Sequence, residues 1–240
     1  MQASTLERYM TALLGGDRKT CREVMRLAVE HAGDGAENLY YDLLWPAMQK
    51  IDKLFRGDRI NTATEHMATR INRAVADQLQ AHLIPAPPNG KRLVISCADG
   101  EAEELGAQMM ADLFESRGWD VYFVGGGVPG DELMNLVGRL RPNILLIFGT
   151  KPTGVPQART MIDMIRNVGC NPTMNIMISG GVFNRADGLW KEVNAELFAK
   201  TARDAIRIAE SAPPRKPEIR VSGAPKKRRR RRRPPVPVAG

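Results

Sequence analysis

Arg92-Leu93-Val94-Ile95-Ser96-Cys97-Ala98-Asp99-Gly100-Glu101-Ala102-Glu103-Glu104-Leu105-Gly106 passes within fifteen residues from one periodicity to another. The first seven read as a strand, Asp99-Gly100 as a turn, and Glu101 to Arg117 as an amphipathic helix. Downstream the alternation repeats: strand Asp120 to Val124, helix Gly130 to Leu140, strand Ile144 to Phe148, a helix near Pro156 to Asn167, strand Met174 to Ile178, and a closing helix Ala195 to Ala212. Ile144-Leu145-Leu146-Ile147-Phe148 is apolar at every position, as a parallel strand covered on both faces requires. Right-handed crossovers of this length build an open, flavodoxin/Rossmann-like parallel sheet, with its ligand edge at the carboxyl ends of the strands.

Upstream, Pro85-Ala86-Pro87-Pro88-Asn89-Gly90 cannot continue a helix. Before it, apolar residues recur at three and four without β-branched alternation. Thr5 to Leu14 forms one helix, ended by Gly15-Gly16. Asp17 caps a second that runs to about His31. A third runs from Ala36 towards Arg56, interrupted or shifted at Pro46, and a fourth from Asn61 or Thr62 to Leu83. Four helices on short loops predict a bundle. The expected divisions are a helical cap at 1–84, a linker at 85–90, the α/β domain at 91–212 and a disordered Pro/Arg-rich tail at 213–240.

With 43% hydrophobic and 26% charged residues in 240, the chain has the composition of a soluble globular protein, and neither collagen nor wholesale disorder fits. Cys21, Cys97 and Cys170 form no CxxC pair, which argues against a disulfide framework or a cysteine zinc site and for a reducing cytoplasm. No apolar run approaches the roughly 20 residues of a membrane span, and Met1 to Arg8 lacks the basic and apolar halves of a signal peptide. The net charge is +8, from 35 Lys+Arg and 27 Asp+Glu. Residues 212–240 hold eleven of those cations and one of the acids, so the body carries −2. Lys226, Lys227, Arg228, Arg229, Arg230, Arg231, Arg232 and Arg233 form an unbroken basic run bordered by Pro213-Pro214 and Pro234-Pro235. Such a run repels itself and binds polyanions. It has no aromatic to stack bases, so nonspecific nucleic acid is the expected partner, ahead of an acidic protein or an anionic membrane.

The loop Asp99 to Gly106 and the α/β segment after it resemble the cobalamin (vitamin B12)-binding domain family, especially its photoreceptor regulators and corrinoid proteins, and the resemblance spans Leu6 to about Ala209. That family carries Asp/Glu-x-His-x-x-Gly, a gap of about 41 residues, Ser-x-Leu, and later a Gly-Gly pair. Here Glu101 stands at the acidic position and Gly106 at the glycine. The 41 residues Ala107 to Ile147 lead to Phe148-Gly149-Thr150, and Gly180-Gly181 come next at slightly long spacing. Val121 to Pro129 resembles the family's second strand and turn. In the bundle, Phe55 and, ten residues on, Glu65-His66 resemble the Trp and Glu-His that the photoreceptor members place over the upper corrin face.

Two departures qualify the resemblance. Glu103 replaces the histidine that holds cobalt from below, and a carboxylate is a hard ligand where a borderline-soft imidazole is wanted. Glu101, which in the family orients that histidine, then has no imidazole to orient. Phe148 replaces a small serine beside the nucleotide tail, although a shift of one or two residues would bring Gly149 or Thr150 there instead. His66 is left as the candidate axial ligand of a metal centre. Glu104 reads as an ordinary first-turn acid, Gly125 to Gly127 as a tight turn, and Trp45, Trp119 and Trp190 as core or domain-interface anchors.

The expected function is a non-catalytic sensory or regulatory module that binds cobalamin or a related tetrapyrrole between bundle and sheet. Loss of the lower ligand and the bulk of Phe148 favour one without a nucleotide tail, such as a linear bilin or a haem. The rivals are a ligand-free interaction protein that uses the fold and the basic tail, and a corrinoid methyl carrier. Homo-oligomerisation is expected by analogy with the photoreceptor regulators.

Overall fold

Asp17 accepts the Thr20 amide and Asn61 the Thr64 amide, so two of the amino-terminal helices begin where a capping side chain meets an otherwise unpaired donor. The structure, a computed structural model, describes residues 3–98 and 104–217. The helical half comprises α1 (Ala3–Leu14), α2 (Arg18–Ala32), the single turn α3 (Glu37–Leu39), α4 (Trp45–Arg56) and α5 (Thr62–Gln80). Between α3 and α4 the backbone takes a π turn, Tyr40–Leu44. The interruption expected at Pro46 is therefore a widening just before it: the helical backbone runs on through the π turn into α4, where Trp45 N–H donates to Tyr40 O and Pro46, the next residue, has no N–H to donate.

The α/β half runs β1 (Arg92–Cys97), α6 (Leu105–Ser116), β2 (Asp120–Gly125), α7 (Gly130–Leu140), β3 (Ile144–Phe148), α8 (Gly154–Val168), β4 (Asn175–Ser179), α9 (Gly181–Arg185), α10 (Leu189–Glu192), β5 (Leu197–Ala199) and α11 (Ala202–Ser211). All strand pairs are parallel, in the order β2-β1-β3-β4-β5. That is the flavodoxin-like winding, which reverses direction between β1 and β3.

Two expectations fail. Residues 195–212 are not one helix: Leu197–Ala199 join β4 as an edge strand, and the helix starts only at Ala202. Thr201, extended, accepts the Asp204 amide and caps α11 there. The first α/β helix, expected from Glu101, begins only at Leu105, with Glu104 outside it at the cap position; residues 99–103 and the basic run of the tail beyond 217 lie outside the described residues.

Side chains alternate across the sheet. Leu93, Ile95, Cys97, Ile144, Leu146, Phe148 and Met177 enter a core shared with α6, α11 and the whole bundle. Val94, Leu145, Ile147, Ile176 and Ile178 face α7 and α8 in a second core. The bundle is thus packed onto one sheet face and is continuous with its core. Tyr40 Oη donates to Asp112 Oδ2 at 3.0 Å, and so ties the π turn to α6.

Candidate ligand site at the carboxyl edge

β1 and β3 end side by side, with Cys97 paired to Phe148. This is the switch point of the winding, where crevices open in sheets of this kind. Here it is roofed by the bundle. Trp45, at the start of α4, meets the Phe148 ring edge-on at 6.4 Å between centroids. Further along the same helix, Asp52 pairs with Arg185 of α9 at 3.8 Å, and the Arg185 guanidinium also donates to the Thr150 carbonyl at 2.6 Å. α4 therefore lies across the ends of β3 and β4.

α5 packs against the start of α6. Its Arg73 stands 4.0 Å from Glu104, and Glu104 accepts the Gly126 amide through Oε1. Glu104 is buried and links the bundle to the β2–α7 turn. Gly125 has φ +77°, and a Cβ there would lie 2.4 Å from Glu104 Oε1, so the glycine turn is shaped around this carboxylate. Reading Glu104 as a plain first-turn acid missed it. The available signal was that the triple glycine needed a close neighbour.

His66 precedes Arg73 by seven residues, which puts it on the same face of α5, about 10 Å away along the helix. It is exposed, and its Nε2 lies 3.5 Å from Glu65 Oε2. The other Glu65 oxygen accepts Thr69 Oγ1 at 3.0 Å. Phe55 is half-buried in the last turn of α4 and belongs to neither core cluster. The structure thus sets Phe55, Glu65 and His66 around the α4–α5 turn, outward of the Trp45–Phe148 and Arg73–Glu104 contacts. Among the described residues no group of three or more His, Cys, Asp or Glu side chains is placed to hold a metal. Glu101 and Glu103 lie outside the described residues.

Gly106 and Phe148, expected at one motif, do meet. A Cβ on Gly106 would sit 2.4 Å from Phe148 Cζ, and Phe148 is only 2% exposed. The ring fills the space between α6 and Trp45. Thr150 is half-exposed beyond it. Gly180 (φ +109°) serves the backbone: a Cβ there would strike Gly149 O at 2.1 Å, so this member of the Gly-Gly pair is explained by the approach of β3 and β4 alone. On the α7–α8 face of the same edge, a cleft of about 610 Å³ is lined by Cys97, Gly127, Pro129, Thr160 and Met164.

A roofed carboxyl-edge site on a helical bundle joined to a flavodoxin-like sheet is the arrangement that comparison with known proteins finds elsewhere. Residues 5–80 match the family model described as B12 binding domain. The chain is 22% identical over 167 residues to dimethylamine corrinoid protein 1 of Methanosarcina mazei, covering 68% of this chain and 76% of that one. It is 29% identical over 91 residues to the HTH-type transcriptional repressor CarA of Myxococcus xanthus, covering 38% and 31%. The solved Methanosarcina barkeri monomethylamine corrinoid protein superposes with a TM-score of 0.74 at 15% identity, over 86% of this chain and 97% of that one; at that identity the likeness is one of fold. The amino-terminal helices thus match the B12 binding domain model, and most of the chain is similar in sequence and fold to corrinoid proteins. No helix among the described residues is long and apolar enough to cross a membrane.

The group that family implies does not fit here in full. A cobalamin whose nucleotide tail enters the sheet beside Gly106 would need the volume held by the Phe148 ring, and close-packed interiors do not yield such a volume without displacement.

Proposed function

We propose that this chain is a non-catalytic regulatory module that binds a tetrapyrrole without a buried nucleotide tail: a tail-less corrin, a haem or a linear bilin. The ligand lies at the carboxyl edge under α4 and α5. Phe55 packs on it, His66 offers an imidazole to a central metal, Glu65 holds that imidazole, and Arg73, on the same face as His66, attracts the ligand's carboxylates. The single observation carrying this reading is Phe148 packed between Gly106 and Trp45, which closes the tail's route while leaving the outer residues accessible. A corrinoid methyl carrier is the second reading. The relatives' name, dimethylamine corrinoid protein, favours it, and Glu103 at the lower-ligand position opposes it.

The test is an absorbance titration of purified protein with cobalamin, with cobinamide (the corrin lacking the nucleotide), with haem and with biliverdin. At least one of the last three is expected to bind tenfold or more tightly than cobalamin, and Phe148→Ser to narrow that gap. Wild-type protein that prefers cobalamin, or binds none of the four, contradicts the reading; the latter result leaves a ligand-free interaction protein.

A further inference from the structure

The Arg185 guanidinium, at the carboxyl edge, is held by a backbone carbonyl rather than by a carboxylate. Its Nη2 donates to Thr150 O, just past the end of β3, at 2.6 Å. Among the described residues its ion pair is with Asp52 of α4, at 3.8 Å, too long for a hydrogen bond. Asp52 is already engaged: Arg56, one turn further along α4, donates to both its oxygens at 2.8–3.0 Å. Gly181 makes room for the Arg185 guanidinium, since a Cβ there would lie 2.8 Å from Nη1. That accounts for the second glycine of the Gly180-Gly181 pair, as the approach of β3 and β4 accounts for the first. The Arg185 side chain remains 36% exposed. It is therefore a positioned cation whose charge no carboxylate of the described fold meets closely.

We infer, resting on the tetrapyrrole site proposed above, that Arg185 binds a carboxylate on the ligand's periphery and so sets the ligand's class. That class is a tetrapyrrole with free propionates, as in a haem or a linear bilin, and not a corrin, whose periphery carries neutral amides. Asp52 and Phe55 stand three residues apart on α4 and are neighbours on the helix surface, so the guanidinium lies within a turn of the ring that packs on the ligand. A carboxylate can take two parallel N–H bonds from a guanidinium, and each charge-assisted bond is roughly twice as strong as a neutral one. A primary amide offers one uncharged carbonyl oxygen instead. The roof of α4 partly shields the pair from water, which strengthens the attraction over that of an open surface. The Thr150 carbonyl fixes the guanidinium beforehand, so little side-chain freedom is lost when the carboxylate arrives.

The test is an absorbance titration of the full chain with haem, haem dimethyl ester, biliverdin, biliverdin dimethyl ester and cobinamide. The esters keep the ring and lose its two negative charges. At least one free acid is expected to bind about tenfold or more tightly than its own ester, and more tightly than cobinamide. Arg185→Gln should bring the acid-to-ester ratio below about threefold, and Arg185→Lys, which keeps the charge and loses the fork, should leave it in between. Acid and ester that bind the wild type equally, a ratio that persists in Arg185→Gln, or a preference for cobinamide would overturn the role of Arg185 while leaving the tetrapyrrole site standing. A wild-type chain that binds none of the five overturns both.

Discussion

A phenyl ring lying on a glycine α-carbon leaves no room for a third group between them, and the Gly106–Phe148 contact is of that kind. Gly106→Ala is expected to destabilise the fold by about 1–3 kcal/mol through overpacking. In a Phe148→Leu background the added methyl should cost distinctly less, because the two positions share one space. Urea unfolding of the four proteins measures this; strict additivity would show that the ring does not fill the gap. Glu104 is tested by Glu104→Ala, which leaves the Gly126 amide and Arg73 without their carboxylate and should cost about 1–3 kcal/mol. Glu104→Gln, which keeps an acceptor, should cost less. At this scale the sequence was readable where a motif supplied spacing, as for Gly106 and Phe148. It was opaque where the partner is distant: nothing near Glu104 in the chain announces Arg73 or Gly126. Gly180, read as part of a ligand motif, turns out to serve the approach of two strands.

Elements with long, regular periodicity, such as α7 and β3, have the bounds expected from the sequence. β5 escaped because three residues are too few for alternation to register, and the regular pattern of α11 invited extension backwards through Leu197–Ala199. The π turn Tyr40–Leu44 was foreshadowed only by Pro46, and its role depends on a tertiary partner: Tyr40 donates to the buried Asp112 of α6. Burial pushes the Asp112 carboxyl up to about 6, with Asp77 and Glu115 adding to the shift and the Tyr40 hydrogen bond opposing it. The folded state therefore holds this proton more tightly than the unfolded chain, whose carboxyl titrates near 3.9. The stabilisation is complete below about pH 4 and is lost as pH rises through about 6. Asp112→Asn should flatten that part of the stability–pH profile and raise stability at pH 7, by at most about 3 kcal/mol. Denaturation midpoints at pH 4, 5, 6 and 7 check it, and an unchanged slope would contradict it.

Over the whole molecule, bundle and sheet were readable as two halves from the Pro-rich stretch at 85–90, but the chain does not show how they are joined. One core runs from Tyr9 in α1 through Trp45 and Phe148 to α11, so the halves should unfold together. Far-ultraviolet circular dichroism and tryptophan fluorescence should report coincident transitions in denaturant; an early loss of the bundle signal alone would refute a shared core. The same joining leaves the carboxyl edge under α4 and α5 as a place where both halves contribute residues to one ligand. Hydrogen exchange of the amides, with and without saturating cobinamide or haem, locates that ligand most directly. The account predicts slowed exchange confined to the α4–α5 turn from Asp52 to Thr69, the Glu104–Gly126 contact region and the end of β3 at Gly149-Thr150, with the amino edge unaffected. Protection at the amino edge or along the outer faces of α7 and α8, with none around His66, would contradict it.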